Sequence, residues 1–297
     1  MVNKAKIWFS AIRPFTLSAA VVPVLVGLSL AFQNGTVDIV NAILVLTACV
    51  LVQMAANLID EYSDHARPEG REKVLAPYKV IALGLLTSDA VKRGAMACLG
   101  MAAAIGIYLV WISGWPILLI CLASVVVVYF YSAGPKPLGS IGLGQPLVFV
   151  FMGPVMVLGT YYVQTHSFSF DAFLLSLPIG CTVTAILAAN DIRDFEEDGT
   201  AGKVTMVTAF GRRFAQWEYL LLPASAFTIV IALVIAERAN PFTLISLLAI
   251  PQAIRALRFI WRGRDRQERA LGLRATSNFH WHFGVLLAFG VALGRLL

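Results

Sequence analysis

Residues 40–64 read VNAILVLTACVLVQMAANLIDEYSD, an apolar run that ends in a cluster of acids. The apolar part, 40–60, has about the 20 residues that an α-helix needs to cross the hydrocarbon core of a membrane. The polar side chains at its end follow one another at steps of three or four residues, with one acid beside them: Gln53, Asn57, Asp60, Asp64 and Glu61. Such spacing places side chains on one face of a helix. The stretch therefore predicts a membrane-spanning helix with an acidic stripe at one end.

Eight further apolar runs of similar length occur along the chain, at 15–32, 94–111, 115–132, 146–164, 171–192, 217–236, 241–260 and 279–297. Of the 297 residues, 59% are hydrophobic and only 13% are charged, about half the charged fraction of an average soluble domain. This composition excludes a soluble globular enzyme, a disordered chain and a nucleic-acid-binding module. It predicts an all-α polytopic membrane protein, a single domain over 1–297 with about nine transmembrane helices around a central cavity.

The basic residues are distributed unevenly about these runs. If the N-terminus is cytoplasmic, all but Arg238 and Arg295 of the 23 lysines and arginines fall on the cytoplasmic side. This bias is typical of inner loops, so we expect an odd number of spans with the N-terminus inside. The net charge of +6 then reflects topology rather than a nucleic-acid partner. The long, charged loops lie on the same side, where we expect the working surface.

The acids form two clusters. Five of the 17 lie within 60–72 and five within 191–198, each at the cytoplasmic end of a predicted span. In the second cluster Asp191, Asp194 and Asp198 again share one helical face. Carboxylates at membrane depth are costly and need a function or a partner. Two facing stripes suit Mg²⁺, which binds a few carboxylates and completes its shell with phosphate oxygens.

The two clusters also resemble each other in sequence. Residues 55–62 read AANLIDEY and residues 188–195 read AANDIRDF, which predicts a weak parallel internal repeat with its two acidic motifs at 57–64 and 190–198. Basic side chains follow both motifs, among them Arg67, Arg71, Lys79 and Lys203. Acids that hold Mg²⁺ beside basic groups that bind phosphate oxygens are typical of a diphosphate site.

At these residues the chain resembles the UbiA superfamily of intramembrane prenyltransferases, and within it most of all the 1,4-dihydroxy-2-naphthoate prenyltransferases of menaquinone synthesis. Four stretches carry the resemblance: Arg13-Pro-Phe-Thr-Leu17 with Pro23-Val24, the first acidic motif 57–64, the central residues Tyr131–Leu138 with Gly142-Leu-Gly144 and Tyr162-Val-Gln164, and the second motif 190–198 with Gly202-Lys-Val-Thr205. The combination is specific and extends over nearly the whole chain.

The resemblance implies that Mg²⁺ is the cofactor and that a polyprenyl diphosphate donates its prenyl group to a small aromatic acceptor within the lipid bilayer. It implies an integral protein of the bacterial inner membrane with its active site on the cytoplasmic side. The implied catalytic metal ligands are Asp60, Asp64, Asp194 and Asp198. The implied substrate-binding residues are Asn57, Glu61, Asp191, Lys79, Lys203, Arg67, Arg71, Tyr131, Lys136 and Tyr162.

The chain departs from the superfamily pattern at several positions. Asp60-Glu61 replaces Asn-Asp, Pro68 replaces an aspartate, and Lys79 replaces an arginine. In addition, Gln145 stands where a glutamate usually follows Gly-Leu-Gly, and Asp191 stands where the second motif usually has asparagine. These changes leave the acceptor open, with 4-hydroxybenzoate and homogentisate as alternatives. A cation-coupled transporter is the alternative from a different class, because internal repeats and intramembrane carboxylates occur there too.

Overall fold

The computed structural model describes residues 4–66 and 78–296, and this part of the chain is helical apart from a single parallel bridge between Ile141 and Val204. Its α-helices are α1 (Lys4–Ala11), α2 (Ser18–Gln33), α3 (Ile39–Ala66), α4 (Ser88–Ser113), α5 (Trp115–Ser132), α6 (Gly144–Val150), α7 (Met156–Thr165), α8 (Phe170–Arg193), α9 (Phe195–Thr200), α10 (Met206–Phe210), α11 (Arg212–Ile235), α12 (Ile250–Arg262) and α13 (Arg266–Leu293). A π-helical segment, Phe151–Val155, joins α6 to α7, and a 3₁₀ segment, Pro241–Ala249, leads into α12.

Eight helical stretches of the described chain are long and apolar enough to cross a membrane, and a bent pair raises the number to nine. Each coincides with one of the predicted spans, so the prediction of an all-α polytopic membrane protein is confirmed. The bent pair is the first span, in which Lys4–Thr16 and Ser18–Gln33 meet at 55°. The bend follows from local chemistry, because Arg13 adopts a left-handed conformation with φ 51° and Pro14 has no N–H to continue α1.

The last helix is longer than the sequence predicts. The predicted span begins at residue 279, whereas α13 begins at Arg266 and is capped by the Asp265 side chain, which accepts a hydrogen bond from the Glu268 N–H. Its first turns are rich in arginine, and in the sequence such a charged segment is typical of a solvated loop. One of them, Arg269, is buried and paired with Glu196, which explains how a charged segment continues the helix into the bundle.

Helix α8 is the central element of the bundle. Of its most apolar stretch, 78% is buried inside the protein, against 6% for α5 at the periphery. The helix packs against α11, α13, α6 and the π-helical segment. A Cβ on Gly153 would lie 2.7 Å from the Gly180 Cα, so only glycine allows the π-helical segment and α8 to approach so closely. Because α8 carries the second acidic motif at its end, its burial fixes that motif against the rest of the bundle.

A cavity of about 660 Å³ lies between α3, α4, α5, α7 and α8. Most of its wall is aliphatic and belongs to the membrane-spanning parts of these helices. One end is different, because the ends of α3 and α8 bring the two acidic motifs to the same part of the wall. A long apolar chamber with a charged end is therefore the main functional feature of the fold.

Candidate active site

The first acidic motif occupies the last two turns of α3. Asp60 and Asp64 are one helical turn apart and both line the cavity. Asn57, one turn earlier, donates hydrogen bonds from Nδ2 to the Ile12 carbonyl at 2.8 Å and to Thr16 Oγ1 at 2.9 Å. The amide thus ties the acidic end of α3 to the bent segment that contains Arg13.

Arg13 points into the cavity beside this motif. Its Nη2 lies 2.8 Å from Asp60 Oδ2, and its guanidinium carbon lies 4.7 Å from the centre of the Tyr78 ring. Asp60 also accepts a hydrogen bond from Ser132 Oγ at 3.2 Å. The left-handed conformation of Arg13 directs the side chain across the bend toward the acids. Arg13 and Tyr78 therefore belong to the site, although neither is among the predicted site residues.

Lys79 and Glu61 lie behind the cavity wall. Lys79 Nζ donates to Asp64 Oδ2 at 2.9 Å and lies 3.4 Å from Glu61 Oε2. Glu61 Oε1 accepts a hydrogen bond from the Ile81 N–H. Burial acts to lower the pKa of Lys79, and the surrounding carboxylates, Asp64 first among them, outweigh this effect and raise the pKa above its ordinary value. Lys79 is a permanent cation that holds the acids of α3 in place.

The second acidic motif reaches the cavity through Asp191 and Asp198. Lys203 follows this motif and connects it to the first, because its Nζ lies 3.4 Å from Asp198 Oδ1 and 3.8 Å from Asp64 Oδ1. The Lys203 N–H also donates to the Asp198 carbonyl at 2.9 Å. The lysine thus stands between the two acidic motifs at the charged end of the cavity.

Unlike Asp191 and Asp198, Asp194 of the same motif does not line the cavity. It is paired with Arg193, and its Oδ1 accepts a hydrogen bond from Arg266 Nη2 at 3.0 Å. Burial acts to raise the pKa of Asp194, but Arg193 and Arg266 outweigh burial and hold the pKa well below its ordinary range. Asp194 is not among the residues of the cavity wall, so its assignment as a metal ligand stays a prediction that this geometry does not favour.

Tyr131 forms a wall of the cavity next to the second motif. The loop after α5 passes close over its ring, and a Cβ on Gly139 would lie 3.1 Å from the ring. The same loop is joined to the lysine loop, because the Val204 N–H donates to the Ser140 carbonyl at 3.0 Å. The central and second signatures of the sequence therefore form one continuous surface.

The predicted site residues differ in where they lie relative to the cavity. Those that line the cavity are Asn57, Asp60, Asp64, Asp191, Asp198, Lys203 and Tyr131. Lys79 contacts Asp64 from behind the wall, Glu61 contacts Lys79, and Asp194 pairs with Arg193 and Arg266. Lys136 is exposed. Tyr162 is remote from the acids and packs its ring 4.7 Å from that of Phe168. The predicted residues Arg67 and Arg71 lie outside the described residues.

The donor set at the charged end consists of carboxylate oxygens, which are the ligands that Mg²⁺ prefers. Within 4–66 and 78–296, no three acidic, histidine or cysteine side chains converge closely enough to hold a metal by themselves. Mg²⁺ typically takes one or two carboxylates and completes its shell with substrate phosphates and water. The residues present therefore fit a magnesium ion that binds together with a phosphorylated substrate.

Comparison with known proteins agrees with the resemblance seen in the sequence. The profile of the UbiA prenyltransferase family matches residues 20–284. A 1,4-dihydroxy-2-naphthoate octaprenyltransferase of Mycobacterium tuberculosis is 32% identical over 294 residues, which cover 97% of this chain and 98% of the relative. The enzyme of the same name from Bacillus subtilis is 30% identical over 289 residues, covering 97% of this chain and 93% of the relative.

Solved structures share the fold. A UbiA homologue from Archaeoglobus fulgidus superimposes with a TM-score of 0.65 at 16% identity, over 96% of this chain and 99% of that one. The same homologue bound to GPP and Mg²⁺ gives a TM-score of 0.63 at 15% identity, over 95% and 99% of the two chains. At this level of identity the likeness concerns the fold alone.

Proposed function

The chain belongs to the UbiA prenyltransferase family, and from this premise we propose that it transfers a polyprenyl group from a polyprenyl diphosphate to a ring carbon of an aromatic acceptor, 1,4-dihydroxy-2-naphthoate. One observation carries the proposal: two acidic helix ends face each other across Lys203 at the polar end of an otherwise apolar cavity. A diphosphate with a long hydrocarbon tail has the same division into a charged head and an apolar body.

The chemistry requires a leaving group and a nucleophile. The bond between the allylic C1 and the diphosphate oxygen breaks, and both electrons leave with the diphosphate. The π electrons of the ring carbon then form the new C–C bond, and the ring loses a proton, or carbon dioxide in the case of the naphthoate. Holding both reactants in one cavity supplies much of the rate.

The residues of this chain have distinct parts in the reaction. Arg13 and Lys203 provide positive charge where negative charge develops on the leaving diphosphate. The aliphatic wall keeps water from the electron-poor C1, which would otherwise be quenched as an alcohol. Mg²⁺, when bound by Asp60, Asp64 and Asp198, would supply further charge stabilisation of the diphosphate. Asp194 joins this ligand set only if Arg193 and Arg266 release one of its oxygens.

The names of the relatives support the proposed acceptor. Both bacterial relatives bear the name of a naphthoate octaprenyltransferase, and the structural neighbour binds GPP and Mg²⁺. These names support the same donor class, cofactor and acceptor for this chain. We also propose that the charged end faces the cytoplasm of a bacterial inner membrane, because the inner side carries most of the basic residues when the N-terminus is placed there.

Prenyl transfer in membranes that contain the protein tests the proposal. Radiolabelled polyprenyl diphosphate is offered with 1,4-dihydroxy-2-naphthoate or 4-hydroxybenzoate, with Mg²⁺ or with EDTA. We expect a Mg²⁺-dependent prenylated naphthalene product that disappears in Asp64→Ala. Product formed only from 4-hydroxybenzoate would keep the reaction and change the acceptor. Absence of both product and Mg²⁺-dependent binding of the diphosphate would contradict the proposal.

A further inference from the structure

Gln145 and Asp191 form a buried pair at the edge of the cavity. Gln145 lies on α6 and Asp191 on α8, and Gln145 Nε2 donates to Asp191 Oδ2 at 3.4 Å. Gln145 is 8% exposed and Asp191 is 7% exposed. Asp191 belongs to the cavity wall, whereas Gln145 lies behind it. The amide therefore holds a carboxylate that faces the place where a substrate binds.

Asp191 differs electrostatically from the other carboxylates of the wall. Asp60 has Arg13 within 2.8 Å, Asp64 has Lys79 within 2.9 Å, and Asp198 has Lys203 within 3.4 Å. Over the residues that the structure describes, no lysine or arginine nitrogen comes within 4.0 Å of Asp191. Its hydrogen-bond donor is a neutral amide. A further acid, Glu218 of α11, lies near the same amide.

A carboxylate without a cationic neighbour is a poor site for an anion and a good acceptor for a neutral O–H donor. The diphosphate head is drawn instead toward Arg13 and Lys203. The flat ring of Tyr131 lines the cavity beside Asp191 and offers a surface for an aromatic ring. This part of the wall therefore suits a phenol or hydroquinone rather than a phosphate.

The two departures from the superfamily pattern at positions 145 and 191 are in direct contact. The usual glutamate and asparagine are replaced by Gln145 and Asp191, so one carboxylate and one amide remain while their places are exchanged. The exchange puts the carboxyl group on the cavity side of the pair. Both departures can thus be understood as one change, which places a carboxyl group instead of an amide on the cavity wall beside Tyr131.

Resting on the proposed prenyl transfer, we propose that Asp191 binds the acceptor by accepting a hydrogen bond from one of its ring hydroxyl groups. Gln145 is the positioning residue that fixes the carboxylate. A site that hydrogen-bonds a substrate hydroxyl discriminates strongly against an analogue without that hydroxyl. The discriminating probes are therefore 1,4-dihydroxy-2-naphthoate and its 1,4-dimethoxy analogue, which has the same ring and carboxylate but no phenolic donor.

Equilibrium binding of both probes to the full-length protein in detergent, by calorimetry, tests the proposal. We expect the wild type to bind the dihydroxy compound at least about tenfold more tightly than the dimethoxy compound. Asp191→Asn should abolish this difference. In the same variant, binding of geranyl diphosphate with Mg²⁺ should change less than about threefold, since the diphosphate is held by other residues.

Exchange of the pair provides the control for folding. Gln145→Glu alone places a carboxylate between Asp191 and Glu218 and should weaken acceptor binding about tenfold or more. The double variant Gln145→Glu/Asp191→Asn restores one carboxylate and one amide, so it should regain the thermal stability of the wild type, but its carboxylate no longer lies on the cavity wall. It should therefore still bind the dihydroxy and dimethoxy compounds equally, whereas a purely structural role of the pair would restore the discrimination together with the stability.

Two results would overturn the inference. One is a wild type that binds the dihydroxy and dimethoxy compounds equally. The other is an Asp191→Asn variant that weakens Mg²⁺-dependent diphosphate binding as much as acceptor binding, which would make Asp191 a metal ligand. Failure of the proposed function is distinguishable, because it appears as absent diphosphate binding by the wild type.

Discussion

The ammonium group of Lys203 lies 3.8 Å from Asp64 Oδ1, and this contact joins the loop after the second acidic motif to the helix that bears the first. The same group is 3.4 Å from Asp198. A cation in this position reduces the repulsion between two acidic helix ends that face each other. It also stands where a bound diphosphate would lie, which makes it the clearest target for substitution.

Replacement of Lys203 by glutamine should raise the KM for the prenyl diphosphate about tenfold or more, because a charge-assisted contact to the phosphate oxygens is lost. The KM for the aromatic acceptor should change little. Lys92→Gln, an exposed lysine on α4, is the matched control and should behave as the wild type. Steady-state transfer in reconstituted membranes measures all three proteins, and an unchanged diphosphate KM in Lys203→Gln would contradict its role.

Replacement of Asp198 by asparagine should lower kcat by about 10²-fold or more and raise the Mg²⁺ concentration needed for half-maximal rate. The reason is that Asp198 faces the cavity and offers a carboxylate oxygen to the ion. Asp171→Asn is the control, because the Asp171 side chain is 47% exposed and its partner Arg238 is exposed as well. Equal effects of the two substitutions would show that Asp198 has no particular role at the ion.

The pairing of Asp194 predicts a pH-dependent contribution to stability. Its pKa is lowered in the folded protein, so the contribution is complete above the unfolded value of about 4 and is lost as the pH falls through the folded value. At pH 7, Asp194→Asn should lower the free energy of unfolding by about 1–3 kcal/mol, less than a fully unpaired buried charge costs, because Asn190 and Glu197 still bind the two arginines.

Thermal unfolding in detergent with EDTA, followed from pH 7 down to pH 3, measures this difference. The gap between the melting temperatures of wild type and Asp194→Asn should narrow once the pH is below about 4. A gap that stays constant over the whole range would mean that the ion pair does not supply the stability.

Much of the fold follows from local sequence. The nine predicted spans coincide with described helices because a long apolar segment in a membrane can satisfy its backbone hydrogen bonds only as a helix. The acidic stripes could likewise be predicted, because residues four apart, such as Asp60 and Asp64, share one face of a single helix whatever the rest of the fold. The early start of α13 could not, because it depends on Glu196, the distant partner of the buried Arg269. The bend itself is local to Arg13 and Pro14, but the pairing of the Arg13 side chain with Asp60 is not.

The site was predictable in part for the same reason. Residues within the two motifs were found, whereas Arg13 and Tyr78 reach the cavity, and Gln145 reaches Asp191, through contacts between distant segments. For Arg13, the sequence offered one indication of a role in the site: a charged residue stands immediately before a proline at the start of an apolar run, where a charge is costly unless it has a partner. Tyr162 shows the opposite case, in which a signature residue lies far from the acids and packs against Phe168.

Arg13 combines an ion pair with Asp60 and a cation–π contact with Tyr78. Arg13→Lys keeps the charge and loses the planar group that makes both contacts at once, so kcat/KM for the diphosphate should fall about tenfold. Tyr78→Phe keeps the aromatic face and should stay within about twofold of the wild type, whereas Tyr78→Leu should resemble Arg13→Lys. Equal activity of the lysine variant and the wild type would show that charge alone matters at this position.

The apolar end of the cavity predicts a limit on the length of the prenyl tail. Gly106 of α4 lines the cavity, and a Cβ there would lie 3.5 Å from Cys121 Sγ on α5. Gly106→Leu should therefore extend a side chain into the chamber and reduce transfer from a long polyprenyl diphosphate about tenfold or more relative to transfer from geranyl diphosphate, because overpacking of an apolar site is unfavourable.

Gly100→Leu is the matched control for the tail experiment. Gly100 lies on the same helix, is exposed, and has no heavy atom within 4 Å of an added Cβ, so its variant should use both donors as the wild type does. The ratio of the two rates, rather than either rate alone, is the decisive quantity, because a general loss of folded protein lowers both rates equally. An unchanged ratio in Gly106→Leu would mean that the tail leaves the charged end by another route than the chamber beside α4.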